Sequence, residues 1–170
     1  MPTPTPQNLA LLAALLALGA CGGERAPEAD TTAQAPTPIP ARVSAADLER
    51  FRWLEGRWRG AEAGGAPFFE SYQFLDDSTI GSFTWTDSTM SVAADTGRIW
   101  LRGDTLTSGW PAPRRVATAV DSLSLHFSAP PGGGNEFTWR STGPDSWEAR
   151  LTWDSAGVPR ERIYHIQRLP

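Results

Sequence analysis

The chain has one cysteine, no lysine and no apolar run long enough to cross a bilayer. A single thiol closes no internal disulfide, so any fold must rest on packing and hydrogen bonding. With lysine absent, the 15 basic residues are all arginine; they are scattered among 19 acids, and the net charge is −4. No basic stripe follows the spacing of phosphates, which excludes nucleic acid as an expected partner. Catalytic signatures are missing too: there is no Gly-x-Ser-x-Gly elbow, no His-Glu-x-x-His, no glycine-rich phosphate loop and no cysteine pair for a metal. The two histidines, His126 and His165, stand among many serines with no spacing that selects a triad. Enzymatic activity is therefore not expected.

The longest apolar stretch, 9–20, consists of Leu, Ala and one Gly. It is shorter than the roughly twenty residues a spanning helix needs, and it fits a signal-peptide core. It ends in Leu18-Gly19-Ala20-Cys21, which resembles the lipobox of bacterial lipoproteins. That resemblance implies a signal peptide over 1–20 and acylation of Cys21, with membrane anchoring by two or three chains at ~0.8 kcal/mol per buried CH₂. Gly22 follows the cysteine where Asp would signal retention, so by the same resemblance the expected address is the outer membrane, facing the periplasm. From 21 to 43 the chain is rich in Ala, Pro, Thr and Glu and poor in large apolar side chains. Such a segment cannot offset its own chain entropy, and it reads as a linker.

The remaining residues, 44–170, are enough for one domain. Ser44 with Asp47 three residues on predicts a capping-box start to one or two helical turns ending at Gly56. Beyond it, runs of five to ten residues alternate with turn clusters. The clearest are 122–128, with Leu123, Leu125 and Phe127 on one face, and 147–154, with Trp147, Ala149, Leu151 and Trp153 on one face. Period-two alternation of this kind marks half-buried antiparallel strands. Further strands are expected at 57–61, 68–75, 79–86, 98–102, 105–110, 115–120, 137–141 and 161–168, with turns that include Asp95-Thr96-Gly97. Eight to ten strands in hairpin order most economically remove their edges by closing, which predicts an all-β, antiparallel up-and-down barrel with a short N-terminal helix.

The opening Trp53-Leu54-Glu55-Gly56-Arg57-Trp58-Arg59-Gly60, followed by Phe69-Glu70-Ser71-Tyr72, resembles that of lipocalin-like and nitrobindin-like β-barrel domains, above all their uncharacterised bacterial members. The resemblance implies a short helix leading into a first strand, with a Glu-bearing second strand beside it. Independently of it, Gly56 and Gly60 permit a tight turn and close packing, and Trp53 and Trp58 are large enough to close one end.

The 8 Trp residues suggest a ligand cavity, although a barrel of this width is often filled by its own side chains, and a filled or partly filled interior is the expectation. The candidate wall residues are Trp58, Phe69, Tyr72, Trp85, Trp139 and Trp147, for a small hydrophobic or amphipathic ligand. A structural or protein-interaction barrel meeting another envelope protein is the alternative. A third reading is a haem protein, since in haem-binding nitrobindins the iron ligand is a histidine on a late strand, and by that likeness His165 is the candidate here. His126 reads as a solvated strand residue, and Glu161 with Arg150, and Glu70 with Arg57 or Arg59, as outer-surface ion pairs.

Overall fold

The computed structural model describes residues 37–109, 111–129 and 134–170. The segment 1–36, with the apolar run and Cys21, lies outside the described residues. The chain docks from Ala41 onward, ahead of the Ser44 boundary: the Ala41 amide donates to the Ala117 carbonyl and the Val43 amide to that of Asp104, each at 2.8 Å. Val43 is buried.

Ser44 caps helix α1, Ala45–Glu49, through the full reciprocal capping box with Asp47. A 3₁₀ turn, Arg50–Leu54, continues it. Leu48, Phe51 and Leu54 recur at a spacing of three, and all are fully buried. The helical segment is thus a plug whose apolar stripe faces the core.

Ten strands follow: β1 Gly56–Glu62, β2 Phe68–Asp76, β3 Thr79–Trp85, β4 Ala93–Arg102, β5 Thr105–Gly109, β6 Pro113–Val120, β7 Ser124–Phe127, β8 Glu136–Gly143, β9 Ser146–Ser155 and β10 Val158–Arg168. Each pairs antiparallel with its sequence neighbour, and β1 also pairs with β10, so the sheet is a closed ten-strand up-and-down barrel. Closure leaves no unpaired edge. At the seam, Trp58 stands between Glu70 of β2 and Arg168 of β10.

The alternation sorts side chains between lumen and exterior. Leu125, Phe127, Trp147 and Ala149 are buried on the inner face, as their pattern predicts. Leu123 departs from it: the residue precedes β7, its amide bonds the Asp121 carboxylate, and its side chain is exposed. Asp95-Thr96-Gly97 also departs from expectation, lying inside β4 rather than in a turn. Gly97 pairs with Ser82, whose hydroxyl occupies the space a Cβ would need, so glycine serves close packing there. The reversal instead uses Asp87, whose carboxylate accepts from the Thr89 amide and hydroxyl.

One end of the barrel is sealed by aromatic packing. Trp58 is 1% exposed and donates its indole N–H to the Leu54 carbonyl at 2.7 Å, tying the plug to β1. Trp58 meets Trp147 edge-on at 6.1 Å, and Trp53 lies 6.1 Å from Trp147 on another side. The Arg168 guanidinium stacks 4.1 Å over the Trp58 ring. From there it donates to the carbonyls of Glu55 at 2.7 Å and Trp53 at 3.2 Å, and it reaches Asp145 at 3.0 Å. The last strand thereby caps carbonyls that the ending helical turn leaves without an intrahelical partner. Gly56, at φ +129, gives Arg168 room, because its Cβ would overlap the guanidinium.

Candidate ligand cavity

Above the sealed floor the lumen is not filled. A cavity of about 400 Å³ opens to solvent between β2, β8, β9 and β10. Alternation on β2 turns Phe68, Glu70 and Tyr72 inward. The same rule on β8 and β9 presents Phe137 and Trp139, then Trp147, Ala149 and Leu151. Tyr164 completes the ring from β10. Small Ala149, between Trp139 and Tyr164 in the sheet register, leaves space where a larger residue would fill the lumen.

The rings brace one another. Trp139 lies 5.5 Å from Tyr72 and 5.6 Å from Trp147, both tilted steeply, and 5.2 Å from Phe137 at 31°. Phe68 and Tyr164 meet edge-on at 5.3 Å. Such offset and edge contacts add about 0.5–1.5 kcal/mol per pair beyond area burial, so the wall is stiff.

Three polar groups interrupt this apolar surface. The Tyr72 hydroxyl donates to the Glu70 carboxylate at 2.7 Å. Burial pushes the Glu70 carboxyl up from its ordinary range, and the Tyr72 hydrogen bond offsets only part of that. Tyr72 is raised well above the usual phenol value by burial first and by Glu70 second, so it stays neutral and donates at physiological pH. Arg115 enters from β6. Its guanidinium bonds both the carbonyl and the side-chain oxygen of Asn135 and lies 5.1 Å over the Phe137 ring. Its pKa is lowered, by desolvation first and Arg114 second. The Arg115 Nε is buried and finds no acceptor among the described residues, and neither does the indole N–H of Trp147 on the cavity floor. A buried donor left unmade costs about 1–3 kcal/mol.

Of the residues singled out from sequence, Tyr72, Trp139 and Trp147 line this cavity, and Trp58 lies beneath it in the floor. Phe69 and Trp85 do not line it. They pair with each other on the outer face, where Trp85 donates to the Ser71 hydroxyl at 2.9 Å and contacts Phe83 at 6.0 Å. The Phe68-Phe69 doublet offers a ring to either face, and only Tyr72, 4% exposed, fixes which is inside. Glu70 is correspondingly a luminal residue and not an outer ion-pair partner, whereas Arg150 and Glu161 do pair outside at 3.1 Å.

His165 also faces outward, its Nδ1 3.2 Å from Glu148 and its side chain 65% exposed. The inner face of β10 there belongs to Tyr164 and Ile166. A haem inside the lumen would have to take its iron ligand elsewhere. His126 is on the outer face too, with its Nδ1 2.8 Å from the Thr138 hydroxyl. Among the described residues, no cluster of three or more His, Cys, Asp or Glu is placed to hold a metal ion.

Sequence reasoning missed Phe68, Phe137, Tyr164 and Arg115. Parity with Trp139 and with Ile166 pointed to Phe137 and Tyr164, but nothing local marked Arg115 as internal. A second depression, of about 530 Å³, lies at the tip of the β9–β10 hairpin. Glu136, Thr152, Asp154 and Glu161 wall it with a single ring, Trp153, and it lacks the ordered aromatic lining of the lumen.

No family model matches the chain, and no curated protein matches it. Among solved structures the chain is similar to EF1p2_mFAP2b bound to DFHBI, at 12% identity over 71% of this chain and 97% of that one, with a TM-score of 0.37. It is also similar to a redesigned β-barrel, at 9% identity over 78% of this chain and all of that one, with a TM-score of 0.33.

Proposed function

We propose that this chain is a membrane-tethered, lipocalin-like binding protein that holds a small, largely apolar molecule in the open half of its barrel. The observation that carries the reading is a cavity of about 400 Å³ walled by six aromatic rings above a sealed floor. Concave, mostly apolar sites with a few convergent polar groups are what small-molecule binding requires. Acylation at Cys21 after removal of 1–20, with an outer-membrane address, would keep the barrel in the cell envelope, and the segment up to Pro40 would serve as its spacer.

Native mass spectrometry of residues 36–170, against the denatured mass, tests the cavity. A reproducible excess mass that vanishes in Ala149→Phe is the expected result. An apo mass that stays clean after incubation with apolar aromatic probes would sink the reading. The outer strip of Phe69, Phe83 and Trp85 favours a second reading, contact with another envelope protein. That reading requires a partner lost in Trp85→Ser and kept in Ala149→Phe.

A further inference from the structure

Two residues of the cavity wall carry a buried donor without an acceptor among the described residues, the Arg115 Nε and the Trp147 indole N–H. Arg115 has no acidic partner among the described residues; its contacts are the two oxygens of Asn135 and the face of Phe137. Arg162, which donates to the hydroxyl of the cavity residue Tyr164 at 3.4 Å, is already paired with Glu62 at 3.3 Å. The acid of the cavity, Glu70, stands on β2, and around the closed ring β2 and β6 are separated by β3, β4 and β5 on one side and by five strands on the other. Glu70 and Arg115 thus stand on different walls of the lumen, with Tyr72 hydrogen-bonded to the acid and no acid among the described residues neutralising the cation.

From this arrangement we infer that the ligand is a small aromatic anion, its acidic group held by Arg115 and its ring packed between Phe137, Trp139 and Tyr164. The planar guanidinium fork suits a carboxylate, sulfonate or phosphate, and a charge-assisted hydrogen bond in an apolar wall is the strong kind. Glu70 on another wall gives the site a direction, since an anion lodged against that wall meets a buried acid. The inference rests on the cavity-binding reading above and narrows it to a charge class.

The test uses two fluorescent probes of one skeleton, anilinonaphthalene sulfonate and the uncharged N-phenylnaphthylamine, titrated into the full-length, unlipidated chain. The sulfonate should bind about ten-fold more tightly than the neutral probe, as one charge-assisted contact predicts. Arg115→Gln should abolish that preference while leaving the neutral probe within about two-fold. Arg115→Lys, which keeps the charge without the fork, should retain part of it. Arg114→Gln removes the same charge from the exposed side of β6 and should leave both probes unchanged. Equal binding of the two probes by the wild type, or equal losses in Arg114→Gln and Arg115→Gln, would overturn the anion assignment and leave the cavity standing. If neither probe is displaced by Ala149→Phe, the cavity reading itself fails. Unchanged thermal midpoints in the variants exclude unfolding as the cause.

Discussion

Glu70 is an acid whose ionisation the fold resists. Burial raises its pKa above the ordinary 4.5, so over the interval from 4.5 up to the raised value the folded state holds more protons than the unfolded one. Stability therefore falls as pH rises through that interval, and the deficit is complete above the raised value. Glu70→Gln, still able to accept from Tyr72, should raise the thermal midpoint by a few degrees at about pH 7 and by nothing at about pH 4. Thermal unfolding at the two pH values decides it, and an equal gain at both would mean that desolvation of the charge is not the cause. Arg168 is the opposite case, a charge the fold uses. Arg168→Met keeps the stem but strands the Glu55 and Trp53 carbonyls, and about 2–4 kcal/mol of stability should go with it in denaturant titration. In sequence Arg168 shares the parity of Arg160, Arg162, Tyr164 and Ile166, which allows one interior arginine without selecting it. Its role becomes visible when ring closure brings residue 168 against residue 58, a contact no local pattern encodes.

Elements were more legible than residues, because a strand with one wet face writes its burial into every second position. Each of the ten strands overlaps a run read from composition and alternation, though β4 takes in Asp95-Thr96-Gly97 and β10 begins ahead of its run, and the Ser44–Asp47 box sits where its spacing predicts. Ser44→Ala removes that cap and should cost about 1 kcal/mol, read as a lowered urea midpoint with unchanged slope. What the pattern left undecided was parity wherever both faces of a strand carry rings. On β2 and β3, Phe69, Phe83 and Trp85 cover the outside while Phe68 and Tyr72 serve the lumen, so aromatic content alone could not choose. Gly60 helps set the choice, since the Phe68 ring fills the space its Cβ would need. Gly60→Ala forces that ring off Tyr164 and should destabilise by about 1–3 kcal/mol, as overpacking does. It should also weaken probe binding in the cavity, whereas Ser44→Ala should not.

At the scale of the molecule, the seam between β1 and β10 closes residues 56–168 into one ring, pairing Trp58 with Arg168. Among the described residues, every β hydrogen bond, the helical plug and the core lie within the unit Pro36–Pro170. Attachment to a membrane and occupancy of the lumen should therefore be separable properties. In the proposed arrangement the anchor is the set of acyl chains on Cys21, each holding at ~0.8 kcal/mol per buried CH₂. Replacing Cys21 by Ser should move the protein from the membrane fraction to the soluble one and abolish labelling by radioactive fatty acid. Its thermal midpoint and probe affinities should stay those of the unlipidated wild type. Full membrane retention of Cys21→Ser with no label incorporated would place the attachment on the barrel itself, and the outer strip of Phe69, Phe83 and Trp85 would be the surface to mutate next.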